Sequence, residues 1–406
     1  MPETIARPNN PWEVVPRAEF RQRQDHARRA AAERELDGLV VFSKGGACLD
    51  MHADVLYLTN HYSQVPYVPD HFGIGHGRSH AAVILPIDGP TILISDIAYW
   101  REDHVVADEI RVGENVPELV QSGLQDTNLL NRRIGIVGMS YMTASTYCYL
   151  MDKVGEDTFE RTDLLLEKIR RVKSPAEKEI IRQGMEIANQ AMNALMGAAE
   201  EGATVADAVS QALQIMTPSG AVLYDAACTS GAQSSQFAWS RLPSFGWRKS
   251  LQRGELFHVD FYGGYGGYLW DFARTRVVGQ KESTQQSALI ETCIGAVDHL
   301  CGEIRPGMTG GDVYEAFLDW VKTSTTANLL LTGEDLEVPF VGHGLGLSWE
   351  GPLLERDNTT VLEEGMVLAI EAFLSIESIG GALYEQNGFV EKNGFKVLTT
   401  CRSRWD

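Results

Sequence analysis

Two aspartates occupy matching positions of a predicted β-hairpin in the C-terminal half of the sequence. Asp260 ends a strand-like apolar run, a glycine-rich turn follows at 263–267, and Asp271 lies at the start of the next strand-like run. Such a hairpin brings the two carboxylates side by side. Carboxylates this close repel each other, and a bound cation is the usual remedy. The alternative is that Asp271 pairs with Arg274 and that Asp260 simply ends a strand.

Three further side chains are candidate metal ligands. His343 lies among glycines and small apolar residues, where a histidine hydrogen-bonded to the backbone is the common alternative. Glu371 ends the apolar run that begins at 365, with no Lys or Arg nearby in the sequence. Burying that carboxylate is costly unless a cation pairs with it, which favours a metal ligand. Glu385 follows fourteen residues later.

The order of these five residues, with the second aspartate eleven positions after the first, resembles the metal-ligand pattern of the creatinase, methionine aminopeptidase and Xaa-Pro peptidase superfamily. Residues 271–275 are similar to the family's Asp-x-x-Arg-Thr, and 365–367 to its Gly-Met-Val ahead of the first glutamate. The resemblance also includes 170–177 and an N-terminal half that looks like the creatinase-type domain. It covers nearly the whole chain.

The resemblance implies a fold and a metal site. The fold class is α+β, with a duplicated C-terminal pita-bread domain and an N-terminal α/β domain like that of creatinase, and related proteins are homodimers. Carried over by position, Asp260 would bind one metal ion, Asp271 and Glu385 would bridge two, and His343 and Glu371 would complete the two coordination spheres. Oxygen and nitrogen donors suit Mn, Fe, Co or Zn, so two divalent ions are expected. Glu371 would also carry a proton.

Two histidines that the family's peptidases use are absent from the matching positions. Residues 230–239, which begin with the corresponding Ser-Gly pair, contain no histidine. The loop after His343 is one residue shorter than in the peptidases and has Trp349 ahead of Glu350. Ala372 occupies a position where the peptidases have proline. Donors of this kind are each worth roughly 100-fold in rate, so we expect a member of the superfamily outside the true peptidases.

Aromatic side chains surround these motifs instead: Phe237, Trp239, Trp247, Tyr262, Tyr265, Tyr268, Trp270 and Trp349. They are either core residues of half-buried strands or the walls of a cage for a small cationic substrate. The irregular N-terminal segment around 61–80 adds residues that are either solvated or reach a partner subunit's site: His61, His71, His76, Arg78 and His80.

The main functional hypothesis is a dinuclear metal-dependent hydrolase of a small amide-like C–N bond, in the manner of creatinases and ectoine hydrolases. Glu371 and Trp349 are its catalytic candidates. The alternative is a β-elimination like that of dimethylsulfoniopropionate lyases, with Tyr262 as the base, although the Asp-x-Asp of those lyases is absent at 260–262. A true Xaa-Pro dipeptidase and an inactive binding protein are the remaining hypotheses. The five intact ligand positions argue against the last.

The elements that position these residues are predicted to form two domains, at 1–172 and 173–406. The first has a helix at 20–35 and strand-like runs at 39–42, 55–58, 81–85, 91–94 and 134–137. In the second, Ser174, Pro175 and Glu177 form a capping box that begins a helix. Further helices are predicted at 205–216 and 285–301, and strands at 256–262, 268–278, 367–373 and 395–399.

Composition limits the class of partner. Of the 406 residues, 44% are hydrophobic and 22% are charged, and the formal net charge is −20. An acidic surface repels nucleic acid and anionic lipid, so we expect a small-molecule substrate, no nucleic acid and no membrane partner. No apolar run reaches the ~20 residues of a membrane span, and 1–19 lack a signal-like core, which predicts a cytoplasmic protein.

The dispersed cysteines predict reduced core thiols: Cys48, Cys148, Cys228, Cys293, Cys301 and Cys401.

Overall fold

The computed structural model describes residues 10–45, 51–63, 79–97, 101–236, 244–324, 326, 338–376 and 378–405. The chain divides into two units, one spanning Asn9–Arg170 and the other containing Arg171–Asp406. The boundary predicted from the sequence, between 172 and 173, lies two residues further along the chain.

The first unit contains one mixed sheet. Its strands are β1 (Gly38–Lys44), β2 (His80–Pro86), β3 (Ile92–Ser95), β4 (Glu109–Val112), β5 (Ile134–Val137) and β6 (Phe159–Arg161), in the order β4-β3-β2-β1-β5-β6. Its helices are α1 (Pro11–Val14), α2 (Arg17–Ala32), α3 (Ala53–Thr59), α4 (Val116–Asp126), α5 (Ala144–Lys153) and α6 (Asp163–Arg170). Strands β1 and β2 are buried along almost their whole length, which explains their continuous apolar sequences. The predicted helix at 20–35 and the strands at 39–42, 81–85, 91–94 and 134–137 are confirmed.

The strand predicted at 55–58 is wrong, because these residues belong to helix α3. All seven residues of α3 are buried, so the segment is apolar on every side, and its periodicity cannot distinguish a helix from a strand. Asn60 ends the helix in the left-handed conformation, with φ 57°, and its N–H donates to the carbonyl of Leu56. Asparagine tolerates this C-terminal cap.

The second unit contains two sheets, each accompanied by a pair of helices. The first half consists of α7 (Pro175–Ala198), α8 (Val205–Met216), β7 (Val222–Ser230), β8 (Leu256–Tyr265) and β9 (Tyr268–Val277). The second half consists of α9 (Thr284–Glu303), α10 (Gly310–Thr323), β10 (Gly342–Leu345), β11 (Trp349–Leu353), β12 (Val367–Ile376), β13 (Gly380–Glu391) and β14 (Gly394–Val397). The strand orders are β7-β8-β9 and β11-β10-β12-β13-β14. The helices and strands predicted in this half are confirmed to within a few residues at their ends, whereas α10, β7, β10, β11 and β13 were not predicted.

Helix α7 begins at the predicted capping box. The Ser174 hydroxyl accepts the Glu177 N–H at 3.2 Å, and Glu177 Oε2 accepts the Ser174 N–H at 2.8 Å. The other carboxylate oxygen of Glu177 accepts the hydroxyl of Tyr268 at 2.8 Å. Because Tyr268 is the first residue of β9, the cap also ties the helix to the hairpin that carries Asp271.

The turn of that hairpin is shorter than predicted. Strand β8 continues to Tyr265, and only Gly266 and Gly267 form the turn, with φ 59° and 88°. A two-residue turn of this hand needs two residues with positive φ. Gly263 lies within β8, where a Cβ atom would be 2.5 Å from the indole of Trp270, so its glycine makes room for a core side chain.

The predicted core thiols are confirmed for only part of the cysteines. Those that are buried and free are Cys293, Cys301 and Cys401. Cys148 is exposed, because it lies on the outer face of α5, and Cys228 is half-buried. Cys48 lies outside the described residues. Within the described ranges, no helix is both long and apolar enough to cross a membrane.

A buried ion pair connects the start of α7 to β11. Lys173 Nζ lies 2.6 Å from Glu350 Oε2, and each side chain is 1% exposed. Lys173 also donates to the carbonyl of Arg171 at 3.1 Å. Glu350 follows Trp349 in β11, so the pair holds the strand that carries this tryptophan. Removing one partner of a buried pair destabilises a protein far more than replacing both.

We expect Lys173→Met to lower the free energy of unfolding by about 3–5 kcal/mol, because Glu350 stays buried without its cation. The double variant K173M/E350L should recover much of this loss. Lys396→Met is the control, since Lys396 and Glu391 form an exposed pair 3.7 Å apart, worth less than about 1 kcal/mol. Urea unfolding measures all of these values, and equal losses for the two single variants would contradict the expectation.

Candidate metal centre

The hairpin of β8 and β9 brings Asp260 and Asp271 to one face of its sheet. Asp271 pairs with Tyr262, and Asp260 pairs with Ala273, so the two aspartates are diagonal neighbours on the same face. Their side chains are hydrogen-bonded to each other. The predicted hairpin is therefore confirmed, and the role of its aspartates as metal ligands stays a prediction.

The second sheet supplies the other three candidates. Glu371 of β12 lies directly opposite Glu385 of β13, and His343 of β10 pairs with Ala369, two residues before Glu371. His343 Nε2 lies 3.5 Å from Asp271 Oδ2. Asp271, His343 and Glu385 each offer a ligand atom, and these atoms lie within 4.8 Å of one another. Residues far apart in the sequence thus meet where the two sheets approach.

Side-chain hydrogen bonds connect β9 to β13 beside Asp271. The Asp271 N–H donates to Asn387 Oδ1 at 3.0 Å, and Asn387 Nδ2 donates to the Asp271 carbonyl. The Thr275 hydroxyl donates to the Leu383 carbonyl and accepts the Leu383 N–H, both at 2.8 Å. The sequence analysis missed Asn387. The sequence gives one indication of its role: Asn387 lies two residues after Glu385, and residues two apart in a strand point to the same face.

Arg274 does not pair with Asp271 among the described residues. Its guanidinium donates to the carbonyls of Glu385 at 2.6 Å and Arg402 at 2.9 Å, and it lies 4.3 Å from the ring centroid of Tyr384. Residues three apart in a strand point to opposite faces, which separates Arg274 from Asp271. The role of Arg274 is therefore structural, because its guanidinium binds the backbone at Glu385.

Trp349 covers His343. The two ring centroids are 4.1 Å apart, with 22° between the planes, and the Trp349 side chain is hydrogen-bonded to the Asp271 carboxylate. An indole N–H only donates, so Trp349 supports a carboxylate but cannot accept a proton. Trp349 is 46% exposed, which leaves part of its ring open to a substrate.

Tyr262 lies beside Asp271 but is a poor candidate for a base. Its hydroxyl donates to Asp225 Oδ2 at 3.3 Å. Burial, followed by the charges of Asp225 and Asp260, raises the pKa of Tyr262. A phenol with a raised pKa gives up its proton less readily.

The other described aromatic residues of the predicted set belong to the core or to the surface. Tyr265, Tyr268 and Trp270 are buried in the core, and Trp247 is exposed. Phe237 and Trp239 lie outside the described residues. Among the described members of the predicted set, Tyr262 pairs with Asp271 in the sheet and Trp349 stacks on His343.

Two of the N-terminal histidines are buried rather than solvated. His61 is 3% exposed and His80 is 5% exposed. Burial, followed by the charge of Arg101, lowers the pKa of His61 to about 4. His71, His76 and Arg78 lie outside the described residues.

Burial and the neighbouring charges shift the pKa values of the titratable groups of the site towards their uncharged forms. Burial raises the pKa of Asp271 to about 8 and that of Glu371 to about 7. Burial, followed by the neighbouring Asp271, raises the pKa of Asp260 and of Glu385 well above their ordinary values. Burial lowers the pKa of His343. Without a cation, these residues cannot all carry the charges that they have in water.

Among the candidate ligands, three buried carboxylate oxygens have no hydrogen-bond partner within the described residues: Asp260 Oδ1, Asp271 Oδ1 and Glu385 Oε1. A buried acceptor without a donor is costly. A divalent cation would satisfy these oxygens, and a set of four carboxylates and one imidazole suits transition-metal ions. The residues present therefore fit the metal ions that the family resemblance implies.

Comparison with known proteins decides the family. Residues 179–392 match metallopeptidase family M24, and residues 23–172 match the creatinase/prolidase N-terminal domain. The chain belongs to metallopeptidase family M24. This M24 protein is therefore a metallohydrolase, and the predicted α+β class, with a pita-bread domain after a creatinase-like domain, is confirmed. Members of the family use divalent metal ions.

Some relatives match most of the chain of this M24 protein, and others match only a short part of it. The Xaa-Pro dipeptidase of Pyrococcus furiosus is 28% identical over 271 residues, which cover 66% of this chain and 73% of that protein. The agropine synthesis cyclase of Rhizobium rhizogenes is 36% identical over 100 residues, which cover 24% and 23%. The structure of the Xaa-Pro dipeptidase from Bacillus anthracis has a TM-score of 0.76 at 22% identity and covers 95% of this chain and 98% of that one.

We expect the metal-free protein to lose stability as the pH rises from about 6.5 to about 8. Below their raised pKa values, near 7 for Glu371 and near 8 for Asp271, these carboxyls keep protons that the unfolded chain has already released, so stability falls as the pH rises towards these values and levels off above them. The buried His61 and His258, whose pKa values are about 4, have finished titrating below this range. Thermal unfolding in EDTA measures the loss.

Two comparisons make this pH test specific. Glu371→Gln removes one titrating carboxyl and should flatten the decline in stability. Added Mn²⁺ should reverse the decline, because a cation replaces the protons. A melting temperature that stays constant or rises with pH in EDTA would show that the carboxyls are not crowded.

Proposed function

We propose that this M24 protein hydrolyses an amide-like C–N bond in a small substrate, at a site where five side chains hold two divalent ions: Asp260, Asp271, His343, Glu371 and Glu385. The observation that carries the proposal is the meeting of these residues from two sheets, with three buried carboxylate oxygens that lack a donor within the described residues. When bound, such ions polarise the bond to be cleaved and activate water.

Glu371 is the proposed proton carrier. It lies directly opposite Glu385, and burial raises its pKa to about 7. A carboxyl with a pKa near neutrality is able to take a proton from the attacking water and pass it to the leaving nitrogen. The buried Asp271 and Glu385 serve as fixed ligands, because Asn387 and Arg274 hold their backbones.

Trp349 favours a substrate other than an Xaa-Pro dipeptide. It occupies the position that the resemblance assigns to a proton-handling histidine, and it offers no basic nitrogen. Its indole instead stacks on His343 and binds Asp271. The exposed part of its ring provides a flat surface that suits an apolar or cationic group. The cyclase among the relatives, whose name describes a step in the synthesis of agropine, supports a small-molecule substrate.

An Xaa-Pro dipeptidase is the second candidate. It is favoured by the Pyrococcus furiosus relative, which carries that name and matches 66% of this chain. A β-elimination has weaker support, because its proposed base, Tyr262, donates to Asp225 and has a raised pKa. A cytoplasmic homodimer stays an expectation from the sequence and the family resemblance.

A substrate panel tests the proposal directly. Mn²⁺-loaded protein is incubated with Xaa-Pro dipeptides, creatine, cyclic ectoine-like amides and sulfonium propionates, and the products are identified by mass spectrometry in H₂¹⁸O. We expect turnover of a non-peptide amide with one ¹⁸O incorporated, and a kcat/KM for dipeptides at least about 100-fold lower, because the two histidine donors are absent. Efficient dipeptide cleavage would support the second candidate, and an alkene product without ¹⁸O would support elimination.

Variants of Trp349 separate the two hydrolase candidates. Trp349→His should leave dipeptide cleavage weak if the site is built for another substrate. Trp349→Phe is the matched control, since it keeps a ring over His343 but loses the N–H that binds Asp271. A gain in dipeptide kcat/KM of about 100-fold in Trp349→His, and not in Trp349→Phe, would contradict the main proposal.

A further inference from the structure

A pocket of about 460 Å³ lies beside β7. This volume suits a small organic molecule. Its apolar wall includes Val205, Phe245 and Leu251, and its polar groups include Ser230 and Gln233. None of the five candidate metal ligands lines it, so the pocket is separate from the site already described.

The pocket is positively charged in an acidic protein. Arg248 and Lys249 line it, and none of its described lining residues is acidic, although the net charge of the chain is −20. Within the described residues Arg248 forms no ion pair, and its guanidinium carbon lies 4.5 Å from the ring centroid of Trp247. Lys249 has a loose contact with Glu255, at 3.9 Å. Val205 is the first residue of α8, so the positive end of that helix adds to the field.

The loop that carries both cations is held in place. Within 244–251, the carbonyl of Gly246 accepts the N–H of Ala206 at 2.9 Å, and the N–H of Leu251 donates to the carbonyl of Ala203 at 2.7 Å. These bonds attach both parts of the loop to the start of α8. The pocket is therefore formed before any ligand binds, which reduces the entropy lost on binding.

The pocket lies at β7, the strand next to the one that carries Asp260. Ala227 lies directly opposite Asp260 in the pairing of β7 with β8. The pocket is lined by Ala226 and Cys228, which point away from the face of Asp260, and by Thr229, which shares that face. One strand thus separates the pocket from a candidate metal ligand.

We propose that this pocket binds a small organic anion that combines a carboxylate with a planar apolar group. Arg248 and Lys249 bind the carboxylate through charge-assisted hydrogen bonds. The planar group stacks on Trp247, which is 64% exposed, and packs against Val205 and Phe245. This site does not depend on the proposed hydrolase activity.

Calorimetric titration of the full-length protein with benzoate tests the site. We expect one saturable site per chain. The double variant R248A/K249A should bind benzoate at least roughly tenfold more weakly, because it loses the charge-assisted bonds. Trp247→Ala should weaken binding by a few-fold, since it loses the stacked ring. Arg305→Ala, which removes an exposed arginine paired only loosely with Glu303 at 3.6 Å, is the matched control and should bind normally.

The metal site is a second place where a carboxylate could bind, so Asp271→Ala is titrated in parallel. Unchanged benzoate affinity in Asp271→Ala supports the proposal. Loss of binding in Asp271→Ala, together with normal binding in R248A/K249A, would place the anion at the metal site and overturn it. An absence of saturable binding by the natural protein up to about 10 mM benzoate would overturn it as well.

Discussion

Repulsion among four carboxylates at the meeting of two sheets is the constraint on which the rest of the structure depends. Burial raises the pKa values of all four carboxyls, and repulsion between their charges raises them further: Asp260, Asp271, Glu371 and Glu385. Without a cation, such carboxyls would stay protonated or would move apart. A divalent cation converts the same arrangement into a stable one, because each orphaned oxygen becomes a ligand. We therefore expect metal binding and folding of this region to be coupled.

The surrounding residues hold the carboxylates against that repulsion. Asn387 binds both backbone groups of Asp271, and Arg274 binds the carbonyl of Glu385, so the strands cannot move apart without breaking buried hydrogen bonds. Trp349 then links Asp271 to His343 from the open side. The Lys173–Glu350 pair fixes the strand that carries Trp349. This second layer gives the ligands one geometry, as metal sites generally require.

The candidate ligands were predictable from the sequence, because a carboxylate at the end of an apolar run without a cation is conspicuous, and Asp260 and Asp271 flank an obvious glycine turn. The helix at 205–216 was predictable from its apolar periodicity. The contacts of Asn387 and the stacking of Trp349 on His343 were not, since they depend on how two sheets face each other, which no local pattern specifies. The strand prediction at 55–58 was wrong for a different reason: a short run that is apolar on every side has no periodicity that distinguishes a strand from a helix.

The most direct test of the central claim is the metal content of the purified protein, measured by inductively coupled plasma mass spectrometry after reconstitution and removal of free metal. The account predicts about two divalent ions per chain, loss of both in Asp271→Ala, and normal content in the control Glu391→Ala, which removes an exposed carboxylate. No bound metal in the natural protein, or two ions retained in Asp271→Ala, would contradict it.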